Sequence, residues 1–392
     1  MGPLTLKPGE GVWVDRLKVE NFRAIAHLEL EFRYRLTVLI GENGGGKTTV
    51  LDALAAVLQD ARPHHQDFQL SDVRRVGNRA ERSALIEAYQ NGIPIKATIL
   101  PPSEFPVRLQ LQREGDTAGG AGTVKAYFGS DRSRPNSYDE LVEWFASKDA
   151  EEARQIRESR NLDYRDPELA EVKRAVEMMV PGTINPRIDP STRVFVVDQV
   201  IGGKAEKFEV SELAGGLRTM LVLVADLARM IVSANEGRST PAQVLVLVDE
   251  IDLHLHPAWQ LRVVSNLLDA FPAAQFIVST HSEEIIASVP SECVISLQRD
   301  QGPITAAPIP PVQGATFDRV LEDAMGVPGH RPPEFQQQLD DYWRLVDAGA
   351  GETPEALALR SKLDDFFRGQ EPELVRADLV IRRKRARTGT GS

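Results

Sequence analysis

The run Gly41-Glu42-Asn43-Gly44-Gly45-Gly46-Lys47-Thr48 sets a lysine and a hydroxyl residue at the end of a glycine-rich loop. That order suits phosphate chemistry. Glycines let backbone N–H groups close around phosphate oxygens, and a following helix adds the partial positive charge of its N-terminus. Lys47 then reaches β- and γ-phosphates, while the Thr48 hydroxyl ligates magnesium. The flanking residues agree, because the apolar, β-prone Leu36–Ile40 leads in and the helix-like residues 49–58 lead out. Asn43, Gly44, Gly46, Lys47, Thr48 and Thr49 are therefore the candidate phosphate-binding residues.

Two more apolar runs deliver polar groups. Residues 244–248 are uninterrupted Val and Leu, the pattern of a parallel strand buried on both faces, and they end in Asp249-Glu250. Carboxylates at the C-terminal edge of such a sheet lie where open α/β sheets bind ligands. There Asp249 would hold the magnesium, directly or through water, and Glu250 would polarise an attacking water as general base. Residues 276–278 form the other run and end in Ser279-Thr280-His281-Ser282, which brings His281 to the same edge, within reach of a γ-phosphate. A lone histidine after a strand is ordinarily structural; the glycine loop and the acidic pair shift the reading toward catalysis.

Positioning these groups calls for an α/β core whose parallel strands end together. Lys47 and Asp249 lie far enough apart for an inserted arm at about residues 80–190. Its first part alternates like strands, with Asn91-Gly92 a hairpin turn between 84–89 and 93–100. Residues 137–180 then carry Trp144, Phe145, Ile156, Val172, Val176 and Met179 at helical spacing, without the sustained heptads of a coiled coil. Residues 193–197 and 207–210, joined through Gly202-Gly203, suggest a second hairpin. After residue 310 the pattern turns helical, at 317–325, 334–348, 354–367 and 372–387, so the chain divides into a core at 1–310 and an extension at 311–392.

Composition narrows the partners. A net charge of −11 over 392 residues argues against a surface that grips nucleic acid throughout, because phosphate binding needs clustered Lys and Arg. Two local clusters keep DNA contact open: Arg382, Arg383, Lys384, Arg385 and Arg387, and Arg74, Arg75, Arg79 and Arg82. A solvated face accounts for either as well. No apolar run approaches the roughly 18 residues of a membrane helix, and residues 1–11 lack a secretory layout, so no membrane partner and a cytoplasmic location are expected. Cys293 is the single cysteine, in an apolar stretch, and receives no role.

In combination these motifs resemble the ABC ATPases, in the branch that holds SMC proteins, RecF and the OLD ATPases. Leu17-Lys18-Val19-Glu20-Asn21-Phe22-Arg23-Ala24-Ile25 is similar to that branch's first strand, and Glu250-Ile251-Asp252-Leu253-His254-Leu255-His256-Pro257 to its acidic, D-loop and His-Pro segment. Ser211-Glu212-Leu213-Ala214-Gly215-Gly216-Leu217-Arg218-Thr219 resembles the ABC signature, and His281 its switch histidine. The resemblance spans nearly all of residues 15–300 and implies ATP with Mg2+, bound in an ATP-sandwich homodimer or a higher even oligomer. It adds Arg23, Gly215, Gly216 and Asp252 to the nucleotide-contacting residues, the signature glycines meeting ATP on the opposite subunit. One departure stands out: Ala214 occupies the place of the family's serine, and the missing charge-assisted hydrogen bond costs on the order of 1.5–3 kcal/mol unless replaced. Slow turnover, or ATP used as a switch, fits that loss. Gln66 and Gln69 are alternative candidates for the family's magnesium-sensing glutamine.

The arm and the helical tail look most like the ATPase subunit of Septu and retron-associated phage-defence systems, which works beside a separate HNH nuclease. The metal-binding Toprim pattern of OLD nucleases is not recognisable after residue 310, where Asp340-Asp341 falls in a helical stretch, so the chain itself is not expected to cut. The expectation is an α/β, P-loop ABC ATPase core with an inserted β-hairpin/helical arm and a C-terminal helical extension, the sensor subunit of an anti-phage complex. The alternative is a RecF-like repair or chromosome-maintenance ATPase that binds DNA directly; a transporter subunit fits the opening and the insertion least.

Overall fold

A computed structural model describes residues 13–58, 83–99, 111–114, 123–129, 135–236, 242–299, 302–327, 333–368 and 371–389. Gln66, Gln69 and the cluster Arg74, Arg75, Arg79 and Arg82 lie outside them. Two compact units divide the chain, Met1–Met325 and Gly326–Ser392.

The first unit is built on a sheet whose described strands run in the order β14 (Thr305–Pro308), β13 (Val294–Gln298), β3 (Leu36–Ile40), β12 (Ala274–Ser279), β11 (Gln243–Val248) and β7 (Thr123–Phe128). Its neighbours are parallel except β13 and β14. Each residue of β3 and β12 is buried, which explains why they are apolar apart from Thr37, Gln275 and Ser279: a parallel strand covered on both faces has no solvent side to reserve for polar groups. In register, Val38 faces Val278, and Val278 faces Val248, so β3, β12 and β11 end level with one another.

Alternation divides these strands between two cores. Leu36, Val38, Ile40, Val244, Val246, Val248, Phe276 and Val278 pack on one face; Leu39, Leu245, Leu247 and Ile277 point to the other. On the second face lie α1 (Lys47–Val57) and an antiparallel sheet ordered β2 (Ile25–Glu31), β1 (Val14–Phe22), β4 (Ala84–Gln90), β5 (Ile93–Ile99) and β6 (Leu111–Glu114). The first face carries α2 (Pro135–Ser159), α3 (Pro167–Met179), α4 (Gly215–Asn235), α5 (Pro257–Ala270) and α6 (Glu283–Ser288).

The residues between Lys47 and Asp249 are shared among layers instead of standing as one arm. β4 and β5 meet at Asn91 and Gly92, both at positive φ (51° and 76°), the turn that the Asn-Gly pair foretold. Because β4 buries alternate residues, it extends the sheet of β1. β7 joins the central sheet beside β11, and Leu141, Phe145, Leu169 and Val172 place α2 and α3 in the main core. β9 (Phe195–Ile201) and β10 (Lys204–Glu209) form the second expected hairpin, and β8 (Thr183–Ile188) completes their sheet.

The helical pattern also begins inside the first unit. Residues 311–325, including α7 (Phe317–Asp323), belong there because Val312, Val320 and Ala324 are buried in its core. The compact boundary thus falls at 325/326, beyond the sequence-based 310/311. The second unit packs α8 (Pro333–Asp347), α9 (Pro354–Phe367) and α10 (Pro372–Gly389) around Leu339, Tyr342, Val346, Leu363 and Leu374. Part of its basic cluster is structural: Lys384 Nζ donates to the Val346 and Asp347 carbonyls at 2.9 and 2.6 Å, closing the end of α8, and Arg385 pairs with Glu352. Arg382 and Arg383 are exposed. Among the described residues, no helix is long and apolar enough to cross a membrane.

Gln275 of β12, 4% exposed, ties the two layers together. Its Nε2 donates to the carbonyls of Val14 (2.8 Å) and Arg33 (3.0 Å), and its Oε1 accepts from Val14 N–H at 2.9 Å. Gln275→Leu strands the two buried Val14 backbone groups and the part-buried Arg33 carbonyl, and urea unfolding is expected to register a loss of about 3 kcal/mol. A loss under about 1 kcal/mol would show that water replaces the amide.

Candidate functional site

The level strand ends bring the sequence-predicted residues to one edge. After β3 the chain turns through Gly41 at φ 143°, where a Cβ would stand 2.2 Å from the Leu297 carbonyl oxygen. Only glycine fits that approach. The loop folds back through Gly45 N–H donating to the Glu42 carbonyl (3.0 Å), and Gly46 caps α1 in the left-handed conformation. Lys47 is 6% exposed, its ammonium donating to the carbonyls of Gly41 (2.8 Å) and Glu42 (3.1 Å). Burial pulls its pKa down, while the charges of Asp249, Glu250 and Asp252 oppose that fall. Asn43, Gly44 and Thr48 are exposed and Thr49 is half-buried.

Asp249 joins the pieces. Thr48 Oγ1 donates to its Oδ2 at 2.8 Å, and Ser279 Oγ donates to its Oδ1. The same Ser279 oxygen accepts the Glu250 N–H at 2.8 Å, and the Asp249 N–H goes to the Phe128 carbonyl of β7. The carboxylate is therefore held between α1 and the neighbouring strand while only 1% exposed. Glu250 follows at φ 48°, a left-handed conformation that costs a non-glycine residue on the order of 1 kcal/mol or more, and it turns the chain off β11. Asp252 accepts from Thr280 Oγ1 at 2.5 Å and from His281 N–H at 3.3 Å, locking this turn to the end of β12. His281 is half-buried; burial first, then the Lys47 cation, lowers its pKa against the pull of Asp252, Glu250 and Asp249. Its imidazole is accordingly neutral near pH 7.

The signature-like turn meets this segment on another side. α4 begins at Gly215 with Ala214 as N-cap and no side-chain cap, and a Cβ on Gly216 would stand 2.2 Å from the His254 carbonyl oxygen. His254, at φ 62°, lies just past Asp252, so Gly215 and Gly216 rest on the acidic turn's continuation. His256 caps α5 by accepting the Ala258 N–H, with Pro257 in the first turn. Arg23, also left-handed (φ 49°), reaches Asp52 of α1.

Four residues of this network carry no role in the motifs. Ser279 and Thr280 were legible only as the first polar residues after an apolar run. Asp52 lies one helical turn beyond Thr48, on the same face. Tyr127 hydrogen-bonds Asp52 Oδ1 at 2.9 Å; burial and then the Asp52 charge push its pKa far up, so the phenol stays protonated, and no local pattern announced it.

A P-loop sheet with paired acidic residues and a histidine at its edge, beside a signature-like helix that starts at Gly215-Gly216, is the ABC-class arrangement. The chain belongs to the family described as "AAA domain, putative AbiEii toxin, Type IV TA system", whose model matches residues 36–287. It is 32% identical over 220 residues to the "Retron Ec83 probable ATPase" of Escherichia coli, covering 55% of this chain and 39% of that protein. To the "Septu protein PtuA" of Bacillus mycoides it is 24% identical over 360 residues, covering 86% and 48%. The chain thus spans less than half the length of these two relatives. The crystal structure of the SmcHead bound to the C-winged helix domain of ScpA shares the fold, with a TM-score of 0.50 at 16% identity over 75% of this chain and 97% of that one. The expected kinship with ABC-class ATPases, and with the Septu and retron ATPases among them, holds.

In an NMR titration of the full chain, His281 is expected to titrate below its ordinary 6.5, and Lys47→Ala to move the midpoint upward by removing the nearby cation. A wild-type midpoint at or above 6.5 would contradict the burial of the imidazole and its proximity to the Lys47 ammonium.

Proposed function

We propose that this chain binds ATP with Mg2+ and hydrolyses it, as the nucleotide-dependent sensor of an anti-phage complex. The observation that carries the reading is the 2.8 Å contact of Thr48 Oγ1 with Asp249 Oδ2, beside the buried Lys47. A hydroxyl and a carboxylate are the hard oxygen donors magnesium takes, with phosphate oxygens and water completing its shell, so these two residues fit the ion. Bound there, magnesium neutralises charge on the transferring phosphate. Lys47 gives its ammonium to the β- and γ-phosphates, and Asn43, Gly44, Gly46 and Thr49 line the same loop. Glu250, at the left-handed turn just after β11, takes the proton of the attacking water. Neutral His281 hydrogen-bonds the γ-phosphate.

Gly215 and Gly216 act in trans in this reading. The first turn of a helix has N–H groups without intrahelical partners, and Ala214 offers them no side chain. They suit a γ-phosphate held by a second copy in a head-to-tail dimer, with Asp252 near the junction. Lacking the serine hydroxyl, such a site turns over slowly, which suits a switch that governs a separate HNH-like nuclease. The names of the retron and Septu relatives support the defence setting.

Glu250→Gln is expected to keep ATP affinity and lower steady-state turnover by about 100-fold or more, trapping the closed dimer on size exclusion with ATP. Unchanged turnover would remove Glu250 as the base. Lys47→Ala is expected to abolish binding of a fluorescent ATP analogue; retained affinity would sink the phosphate-loop assignment. Mass spectrometry of what co-elutes with the chain expressed from its native operon, with and without ATP, tests the partner. A small nuclease in the complex supports the defence role, and a chain recovered alone whose turnover rises with DNA supports direct DNA action instead.

A further inference from the structure

Arg23 lies in the turn between β1 and β2, where Asn21 and Arg23 both adopt left-handed backbone, φ 53° and 49°. Such conformations persist in non-glycine residues where surrounding contacts impose them. The contact here is Asp52, whose Oδ2 accepts from Arg23 Nη1 and whose Oδ1 accepts from the Tyr127 hydroxyl at 2.9 Å. With both oxygens engaged, the carboxylate has one orientation. Its side chain is 14% exposed and that of Arg23 28%, so the pair is shielded from solvent but not sealed.

Each anchor of this chain of bonds is itself part of the site's frame. Asp52 follows Lys47 and Thr48 on α1, roughly 6 Å along the axis from Thr48 at about 1.5 Å per residue. Tyr127 faces Leu247 across β7 and β11, and the next carbonyl, that of Phe128, accepts the Asp249 N–H at 2.8 Å. The guanidinium is thus referenced to the same strand pair that sets Asp249.

We infer that Tyr127 and Asp52 are positioning residues that hold the Arg23 guanidinium ready at the side of the phosphate loop for the polyphosphate of a bound nucleotide. The inference rests on the ATP-binding reading above. Its physical benefit is preorganisation: a guanidinium already fixed by a carboxylate loses little side-chain freedom when an anion arrives. Tyr127 touches no phosphate; it acts through Asp52, and Asp52 through Arg23.

The test is a double-mutant cycle in the full chain, with the dissociation constant of a fluorescent ATP analogue in Mg2+ and the melting temperature measured for each variant. Tyr127→Phe is expected to weaken binding about fivefold, the worth of one hydrogen bond, and to have no further effect in an Arg23→Gln background. Asp52→Asn should behave likewise with a larger loss. Equal losses in both backgrounds, or a loss that follows melting temperature across the variants, would overturn the relay while leaving ATP binding intact. A wild-type chain that binds no ATP would overturn both.

Discussion

The site depends on one buried carboxylate. Asp249 is taken almost wholly out of water, a placement that is unfavourable for a charged group unless donors compensate it. The donors come from two directions: Thr48 at the start of α1 and Ser279 at the end of β12. Satisfying this one side chain therefore sets the distance between the phosphate loop and the strand edge. Ser279 extends the constraint by accepting the Glu250 N–H, so the residue that follows the buried acid is aimed by the same hydroxyl.

The sheet makes that meeting possible because its two faces do different work. One face holds α1 and the antiparallel strands; the other holds the helices that include α4 and its glycine-rich start. Side chains alternate between the faces along β3, β11 and β12, yet all three strands deliver their next residues to one edge. Loop, acidic pair and histidine converge there without sharing either core, so the polar cluster sits beside the apolar packing instead of interrupting it.

Local backbone preference is overridden around this edge. Asn21, Arg23, Glu250 and His254 are left-handed without being glycine, and each belongs to a segment that surrounds the site. Glu250 and His254 bracket the acidic turn, whose Asp252 is bonded to Thr280 and the His281 N–H, and His254 carries Gly216 against its carbonyl. Left-handed backbone also occurs away from the site, at Asn91, Arg160, Asn185, Arg193 and Arg368, but at Glu250 and His254 it coincides with the tertiary contacts that hold the acidic turn.

By itself the sequence determined the phosphate loop, the buried strands with Asp249, Glu250 and His281 at their ends, both hairpins and the helical tail. Those features are local: glycine spacing, unbroken apolar runs, the Asn-Gly turn and helical periodicity each record a constraint within a few residues. The tertiary structure alone decided how residues between Lys47 and Asp249 are divided among the sheets and the helical face; β7, for instance, pairs with β11, a partner distant in the chain. It also placed residues 311–325 with the first unit through Val312 and Val320, and brought Tyr127 to Asp52 and Ser279 to Asp249. A tyrosine on a short strand or an aspartate in a helix carries no sign of its partner, since hydrogen bonds across the fold leave no period in the chain.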